Sequence, residues 1–460
     1  MAAWANVKKT VYFLRRNGLK PTFHAVWERL AAGKAAAYQY VPPTARELDR
    51  QRSSCQRLFD GQGQALESEP PLFSILVPAY RTREAFLREL IDSLLAQTYS
   101  RWQLVIADAT KEDDVESVVT DYEDSRICYV RLKENGGISG NSNQGLEYVA
   151  GSYVGLLDHD DILTPNALYE MYEAIQRGKN RGIEAKLLYS DEDKCDEQGR
   201  IFYEPNIKED FNLDLLLSNN YICHFLVIKT ELLKELGFRP EYEGAQDYDL
   251  TLRASERILA SGEGQEQLVH IPKVLYHWRC HGASTAVNPR SKEYAYEAGR
   301  RALQDFADRQ RIPAKAENLP HLGFYRLKWE QDIFICRPDL GAVGGKLLHR
   351  GRIVGGRMDE YGKIYYEGLP AGFSGILHRA ALTQDAMAVD IRLIKVRPQC
   401  HELFEKAVGV SYTRVLGTDI FDSSTLPAGT DYVAVSLALG RALRGAGYRI
   451  LWEPELKGKV

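Results

Sequence analysis

The apolar positions follow two periods between residues 73 and 160. Phe73-Ser-Ile-Leu-Val77, Leu104-Val-Ile-Ala107 and Tyr153 to Leu157 are short apolar runs that predict buried strands. Glu84 to Ala96 carries its apolar residues at helical spacing, which predicts an amphipathic helix between the first two strands. The same reading places a strand at Ile127 to Leu132 and a helix at Asn141 to Ala150. Strands that alternate with helices predict a parallel sheet with its ligands at the carboxyl ends of the strands.

The first 40 residues have a different pattern. Trp4, Val7, Val11 and Leu14 recur at helical spacing and predict one apolar face. The same segment holds a single acid, Glu28, and the basic residues Lys8, Lys9, Arg15, Arg16, Lys20, Arg29 and Lys34. Two interpretations stay open: an amphipathic helix on anionic lipid, or a helix packed on its own protein with its charges in water. A polar helix from Ala45 and a linker that starts at Gly61 are expected to follow.

The composition excludes some classes of protein. A length of 460 residues predicts two or three domains, and the net charge of −4 gives no reason to expect a nucleic-acid partner. The seven cysteines are scattered without metal-site or redox spacing, which favours reduced thiols in a cytoplasmic protein. The first residues lack the apolar core of a signal peptide, and no apolar run reaches membrane-spanning length. We therefore expect a cytoplasmic protein, or one held on the inner face of the cell membrane through residues 1–40.

Three carboxylates follow the strand that ends near Leu157, in the run Asp158-His-Asp160-Asp161. Asp158 and Asp160 are two residues apart, so in extended backbone their side chains point the same way. Two carboxylates on one face repel each other unless a cation lies between them, and oxygen ligands suit a divalent ion that also binds phosphate. The alternative is a helix N-cap with solvated acids.

Residues 73–285 resemble family 2 glycosyltransferases. The resemblance is carried by pieces in the family's order: Ser74-Ile-Leu-Val-Pro-Ala-Tyr80, Leu94-Leu-Ala-Gln-Thr-Tyr99, Leu104-Val-Ile-Ala-Asp108, Asn135-Gly-Gly-Ile-Ser-Gly-Asn-Ser-Asn143 and Leu157-Asp-His-Asp-Asp161. It implies an α/β protein with the GT-A fold, whose Rossmann-like half binds a nucleotide. A helical N-terminal extension over residues 1–68, a transferase domain over 69–330 and a degenerate, partial GT-A-like unit over 331–460 complete the predicted organisation.

The resemblance also implies roles for individual residues. Nucleotide-sugar binding falls to Pro78, Tyr80, Asp108, Gly137, Asn143 and Asp158. Asp158 and Asp160 match the Asp-X-Asp motif that holds Mn²⁺ or Mg²⁺ on the diphosphate, and His281 matches a third metal ligand, with His277 as the alternative. One departure concerns the base contact: the family commonly has Asp-Asp-Gly-Ser where this chain has Asp108-Ala-Thr-Lys111.

Three later motifs resemble a bacterial subgroup of the family that is associated with cell-surface polysaccharides. They are Tyr189-Ser-Asp-Glu-Asp-Lys194, Asn219-Asn-Tyr-Ile-Cys-His224 and Gly244-Ala-Gln-Asp-Tyr-Asp-Leu250. They imply that Asp247 is the catalytic base and that Asp191, Asp193, Asn220 and His224 lie on the acceptor side. A simple N-cap is the structural alternative for Asp247, and Asp249 is the alternative base.

The implied activity is inverting transfer of a sugar from a UDP or dTDP donor to a glycan or lipid-linked acceptor. Two other functions stay open: a catalytically inactive, transferase-like binding module, and a sugar-nucleotidyltransferase. The second class has a glycine-rich loop after its first strand, whereas Pro78-Ala-Tyr-Arg-Thr82 follows here. In the C-terminal part, Asp431 lies where a second active domain would have its base, without metal-ligand motifs upstream.

Overall fold

A computed structural model describes residues 2–32, 38–59, 69–261, 264–281 and 293–460. The chain divides into two compact units. The central unit comprises residues 37–211 and 220–302, and the terminal unit comprises residues 1–36, 212–219 and 303–460. The predicted linker between residues 61 and 68 lies outside the described residues, and the predicted boundaries at residues 68 and 330 stay predictions.

The helices and strands alternate along most of the chain. The helices are α1 (Ala2–Asn17), α2 (Leu19–Ala32), α3 (Ala45–Phe59), α4 (Glu84–Leu95), α5 (Asp114–Thr120), α6 (Gly137–Leu146), α7 (Ala167–Lys179), α8 (Leu213–Leu216), α9 (Thr230–Leu236), α10 (Gln246–Ala260), α11 (Glu293–Arg309), α12 (Ile333–Cys336), α13 (His401–Val408) and α14 (Tyr432–Gly445). The strands are β1 (Phe73–Ala79), β2 (Trp102–Asp108), β3 (Ile127–Arg131), β4 (Tyr153–Leu156), β5 (Ile162–Leu163), β6 (Leu187–Cys195), β7 (Phe202–Asn206), β8 (Leu226–Lys229), β9 (Leu268–Arg279), β10 (Ala314–Asn318), β11 (Tyr325–Trp329), β12 (Leu340–His349), β13 (Arg352–Gly355), β14 (Arg357–Met358), β15 (Gln384–Asp385), β16 (Ala388–Val389), β17 (Ile394–Val396) and β18 (Arg449–Lys459).

The central unit is built on one mixed sheet with the strand order β3-β2-β1-β4-β8-β6-β9-β5, and β7 pairs with β6. The first four strands in this order are parallel, with β1 between β2 and β4. Strand β8 then runs antiparallel to both β4 and β6. The predicted α/β fold with a Rossmann-like half is therefore confirmed.

The apolar runs explain why this sheet is internal. In β1 every residue except Pro78 is buried, as expected for a parallel strand covered on both faces. Helix α4 buries Phe86, Leu87, Leu90, Ile91 and Leu94. Helix α6 approaches the sheet at Gly145, where a Cβ atom would stand 2.7 Å from Leu76 Cδ1 and 2.9 Å from Ala107 Cβ. Close packing of this kind holds the carboxyl ends of β1, β2 and β4 in fixed positions.

The terminal unit has its own sheet and core. Strand β12 pairs in parallel with β18 and antiparallel with β13 and β17, and β15 lies on the other side of β18. Its largest buried side chains include Phe404, Phe421 and Trp452. The sequence therefore predicted a second α/β unit in the C-terminal part correctly, together with the N-terminal helices. No helix in the described part of the chain is long and apolar enough to cross a membrane.

Candidate active site

The three acids after β4 lie on a turn. Strand β4 ends at Leu156, and the Asp161 amide donates to the Asp158 carbonyl oxygen at 3.1 Å. The expectation that Asp158 and Asp160 share a face of extended backbone is therefore wrong, because the chain has already turned. Side-chain exposure is 53% for Asp158 and 19% for Asp160.

Asp161, the third acid, holds this turn against β9. Its carboxylate accepts from the Arg279 amide at 2.7 Å and from the Tyr276 hydroxyl. The Arg279 Nε also donates to the Asp160 carbonyl oxygen at 2.7 Å. Burial, followed by the negative charges of Asp160 and Asp158, raises the pKa of Asp161 well above its usual range. Asp161 thus serves to fix the turn.

His281, and not His277, reaches the acids on the turn. The His281 Nε2 lies 2.8 Å from Asp160 Oδ2. The His277 Nδ1 lies 2.5 Å from Asp193 Oδ1, and its ring packs against Tyr40 and Phe202. The two histidines are four residues apart in the sequence, but only His281 joins the Asp158–Asp160 pair.

The acidic motif on β6 divides its side chains between two sets of partners. Asp191 accepts from the Lys208 amide and lies 2.9 Å from His270 Nε2. Asp193 binds His277, as described above. Glu192, between them, instead contacts His224: its Oε2 lies 2.9 Å from the imidazole Nδ1 and accepts from the His224 amide at 2.7 Å. The residue that this motif contributes to the cluster is therefore Glu192, and both Asp191 and Asp193 face histidines of β9.

His224 connects Glu192 to the turn. Its Nε2 lies 3.8 Å from Asp158 Oδ2, and its ring stacks on Tyr276 at 4.8 Å. Burial alone would lower the pKa of His224, but Cys223 and Glu192 outweigh burial and raise that pKa well above its usual value. Burial would raise the pKa of Glu192, but Lys208 and His224 lower it to about 2. The Glu192–His224 pair thus lies beside the turn, with His224 Nε2 directed at the Asp158 carboxylate.

The Asp158 carboxylate is influenced by several neighbouring charges. Burial raises the pKa of Asp158, His224 lowers it, and the charges of Asp160 and Asp247 raise it further. Asp247, at the start of α10, is therefore among the groups that act on this turn.

The carboxylates of Asp247 and Asp249 have different partners, although both residues lie in the first turn of α10. The Asp247 Oδ2 accepts from Asn220 Nδ2 at 2.9 Å. Asn220 Oδ1 is buried and has no hydrogen-bond partner among the described residues. Asp249 is 1% exposed and accepts from two guanidinium groups, those of Arg239 and Arg253. Asp249 is therefore held in a buried ion-pair cluster, whereas the Asp247 carboxylate contacts a neutral amide.

The carboxyl ends of β1 and β2 border the turn as well. Asp108 is fully buried, and it accepts from the Thr110 amide and the Tyr129 hydroxyl, both at 2.9 Å. Pro78 pairs with Ala107 in the sheet, and Tyr80 follows it with 41% exposure. The Thr82 hydroxyl lies 3.1 Å from His159 Nδ1, which ties the end of β1 to the turn.

The glycine loop before α6 holds an acid of the protein itself. The Glu243 carboxylate accepts from the amides of Ile138 at 2.6 Å and Ser139 at 3.1 Å. Gly137 has a φ of +74°, and a Cβ there would stand 2.8 Å from Glu243 Oε1. The amides that follow Gly137, to which the resemblance gives a role in nucleotide-sugar binding, are thus occupied by Glu243.

Asn143 is also engaged within the protein. Its side chain donates to the Phe238 carbonyl oxygen at 2.7 Å and accepts from the Phe238 amide at 2.8 Å. This pair of bonds clamps α6 to the segment after α9. Around the turn after β4 the structure therefore places Asp158, Asp160, His281 and His224, and Asp247 acts on the same turn. Asn220 donates a hydrogen bond to Asp247, whereas Asn143 makes only a structural contact.

A divalent cation fits the donor set at the turn in part. Asp158 and Asp160 offer carboxylate oxygens and His281 offers an imidazole, and the repulsion that raises the pKa of Asp158 is what a cation would relieve. No group of three or more His, Cys, Asp or Glu side chains in the described ranges could hold an ion by itself. Oxygen atoms of a bound phosphate would have to complete the ligand shell.

Comparison with known proteins gives a family match for part of the chain. Residues 74–237 match the model of glycosyl transferase family 2. An uncharacterized protein of Sinorhizobium fredii is 40% identical over 269 residues, which are 57% of this chain and 28% of the relative. The O-antigen biosynthesis protein RfbC of Myxococcus xanthus is 35% identical over 53% of this chain and 18% of its own length. The chain thus spans less than a third of these two relatives.

A smaller relative and two solved structures complete the comparison. The putative colanic acid biosynthesis glycosyl transferase WcaA of Escherichia coli is 28% identical over 44% of this chain and 77% of its own length. Staphylococcus aureus TarS, solved with UDP-GlcNAc, has a TM-score of 0.39 at 18% identity over 51% of this chain and 66% of its own. A Pyrobaculum calidifontis mannosyltransferase, solved with GDP-Man and Mn²⁺, has a TM-score of 0.35 at 15% identity over 65% of this chain and 88% of its own. Similarity at this level transfers no ligand to this chain.

Proposed function

We propose that the chain moves a sugar from a nucleoside diphosphate to an acceptor hydroxyl with inversion at the anomeric carbon, and the match of residues 74–237 to the model of glycosyl transferase family 2 supports this proposal. The observation that carries it is the group of acids and histidines at the turn after β4. Asp158, Asp160 and His281 offer donors for a metal and diphosphate, and the Asp247 carboxylate accepts a hydrogen bond from the neutral Asn220 amide.

In this proposal Asp158, Asp160 and His281 would hold Mn²⁺ or Mg²⁺ together with phosphate oxygens. Such an ion, when bound, neutralises charge on a leaving diphosphate. His224, whose Nε2 lies 3.8 Å from Asp158 Oδ2, borders the same place. Pro78, Tyr80 and Asp108 would border the nucleoside, with the exposed Tyr80 ring offering a stacking surface. Because both oxygens of Asp108 already accept hydrogen bonds, its contact with a base would have to share them.

Asp247 would accept the proton of the acceptor hydroxyl. A general base must be unprotonated and within reach of its proton, and Asn220 holds one oxygen of Asp247 in place without adding charge. Asp249 is a poor base by comparison, because two guanidinium groups bind its carboxylate. Asn220 would lie on the acceptor side with Asp247, whereas Asp191 and Asp193 bind His270 and His277 and would support β9. Configuration inverts because the hydroxyl attacks opposite the diphosphate.

The acceptor we propose is a growing or lipid-linked cell-surface polysaccharide. The names of two relatives, which refer to O-antigen and colanic acid biosynthesis, support that choice. Our expectation for the donor is a UDP or dTDP sugar. A cytoplasmic chain held on the inner face of the membrane through residues 1–40 would meet a lipid-linked acceptor there.

The experiment that tests this proposal is a panel of nucleotide sugars, scored by release of nucleoside diphosphate with Mn²⁺ or Mg²⁺ present. We expect metal-dependent release with one donor class, and its loss in Asp158→Asn. The matched control is Asp113→Asn, which alters an acid of the same unit that is 85% exposed. If no donor is consumed in the presence of a broad set of acceptors, the inactive binding module becomes the better interpretation. Release of pyrophosphate from a sugar phosphate and a nucleoside triphosphate would favour the nucleotidyltransferase.

A further inference from the structure

Helix α2 exposes a continuous apolar stripe. Leu19, Phe23, Val26, Trp27 and Leu30 are between 40% and 80% exposed. Since each helical residue advances by about 100°, these five positions fall within an arc of roughly 100°. The Phe23 and Trp27 rings stack on each other with their centroids 6.1 Å apart. We call this set the α2 stripe.

The opposite side of α2 is attached to its own unit. The Glu28 carboxylate accepts from the amides of Ser374 and Gly375 and from the Ser374 hydroxyl at 3.0 Å. The His24 ring packs edge-on against Phe373 with centroids 6.1 Å apart. These contacts fix the rotation of α2 about its axis. The α2 stripe therefore faces solvent on a helix whose other side is fixed by these contacts.

The charged residues around the α2 stripe indicate which kind of partner binds it. Glu28 is the only acid among residues 1–40, and its carboxylate is used by the Ser374–Gly375 backbone. Arg15, Arg16 and Lys20 are exposed at the end of α1 and the start of α2. An apolar stripe next to basic residues matches the boundary between lipid headgroups and acyl chains, and Trp and Phe are favoured at that depth. A second copy of the same surface would bring like charges together.

The loop that binds Glu28 also carries an exposed apolar residue. Ile376 follows the Glu28-bound Gly375 directly and is 84% exposed. Leu377 has a φ of +52°, in the left-handed region that side chains rarely adopt. The loop between Gly375 and Ala380 thus turns sharply directly after Gly375, the residue that binds Glu28 of α2, and the Ile376 side chain is left in solvent.

We propose that the α2 stripe is a binding surface for an anionic lipid bilayer. The sequence pattern of α1 had suggested Trp4, Val7, Val11 and Leu14 as the lipid-facing residues. The side chains of Trp4 and Val7 lie outside the described residues, and Leu14 is partly buried. The surface assigned here is on the next helix, and it does not depend on the catalytic assignment.

The test is co-sedimentation of the full chain with vesicles of phosphatidylcholine, with and without phosphatidylglycerol, in the absence of any donor sugar. We expect binding to the anionic vesicles that weakens with added salt. Phe23→Ser/Trp27→Ser should reduce that binding by about tenfold or more. The burial of one large apolar side chain in the bilayer contributes more than about a factor of ten to the binding constant. Trp27→Phe, which keeps an apolar ring, should retain most of it.

Leu416→Ser is the matched control, because Leu416 is 99% exposed in the same unit. Circular dichroism and thermal unfolding should be unchanged in all variants, since the altered side chains are exposed. Equal vesicle binding by Phe23→Ser/Trp27→Ser and the unaltered chain would overturn the proposal. The proposal would also be overturned if the unaltered chain formed a concentration-dependent dimer that Phe23→Ser/Trp27→Ser abolishes, and if neither protein bound vesicles. Failure here leaves nucleotide-sugar turnover unaffected, so the two proposals fail separately.

Discussion

Aspartates lie at turns and helix starts in both compact units, but their carboxylates bind different groups. In the terminal unit, Asp431 caps α14 by accepting from the amides of Val433 and Ala434, both at 3.0 Å. Asp359 accepts from the amides of Tyr361 and Lys363. In the central unit, Asp160 and Asp247 contact the side chains of His281 and Asn220.

The difference bears on chemistry. A carboxylate oxygen that holds two backbone amides stabilises a turn or helix, and a ligand at that oxygen would have to compete with those hydrogen bonds. A carboxylate that faces a histidine, an amide or another acid can exchange that contact for a metal or a proton. The same residue type at a similar place in a secondary-structure element therefore indicates a site at Asp160 and Asp247 and a cap at Asp359 and Asp431.

The sharpest way to break this comparison is Asp160→Ala. We expect loss of turnover and of metal-dependent nucleotide binding, because Asp160 is one of the two carboxylates proposed to hold the metal and is paired with His281. Calorimetry with UDP or dTDP and Mn²⁺ measures the binding. Asp359→Ala is the matched change in the terminal unit and should leave binding intact. Unchanged affinity in Asp160→Ala would remove the metal assignment.

The second prediction concerns Asp247→Asn, which keeps the shape of the side chain and removes the proton acceptor. We expect kcat to fall by roughly 10²–10⁴, the usual contribution of a general base. Donor KM should change little, because the loss falls in the transition state. Asp431→Asn is the control, since asparagine also caps a helix. Near-normal turnover of Asp247→Asn with saturating acceptor would move the base elsewhere, with Glu192 the next residue to test.

The sequence predicted the elements that local pattern determines. The strand at Phe73–Val77 and the helix at Glu84–Ala96 were found within a few residues, because apolar periodicity follows from burial. The pairing of Asp160 with a histidine near residue 280 was anticipated as well, although only the structure separates His281 from His277.

The remainder of the site depends on contacts between distant residues. Glu192 reaches His224 across 32 residues, and Glu243 reaches the amide of Ile138 across 105. No local pattern encodes such pairs, since they form only when β6, β8 and α6 are assembled. This dependence on distant residues also explains the prediction that Gly137 and Asn143 bind the nucleotide. Their motif indicates a helix start, but it cannot show that Glu243 and Phe238, from elsewhere in the chain, already bind there.

Glu243 gives a third prediction, which sharpens the comparison between the units. Its carboxylate stabilises the start of α6 and ties down the segment that leads through Gly244 to Asp247. Glu243→Gln should lower the free energy of unfolding by about 1–2 kcal/mol, the range for loss of a helix cap. It should also reduce kcat less than Asp247→Asn does.

Urea unfolding and steady-state kinetics measure the two effects of Glu243→Gln. Glu241→Gln, an exposed neighbour two residues away, should change neither. Full stability in Glu243→Gln would mean that the α6 amides find another acceptor, such as water, at no net cost. A loss of kcat as large as that of Asp247→Asn would instead make Glu243 part of the catalytic group.

The smallest effect is expected for Asp431→Ala in the terminal unit. Removing the cap of α14 leaves the amides of Val433 and Ala434 to water, at a cost of about 1 kcal/mol in the free energy of unfolding. Asp431→Asn should recover most of that loss, because its amide oxygen can accept the same bonds. Neither variant should alter kcat or donor KM, since the Asp431 carboxylate holds the start of α14 through its Oδ1 atom. Urea unfolding of the two variants beside their kinetics tests this. If Asp431→Asn kept its stability but lost turnover, the carboxylate of the terminal unit would be chemically active after all, and the contrast between capping and reactive aspartates would fail at the position where it is simplest.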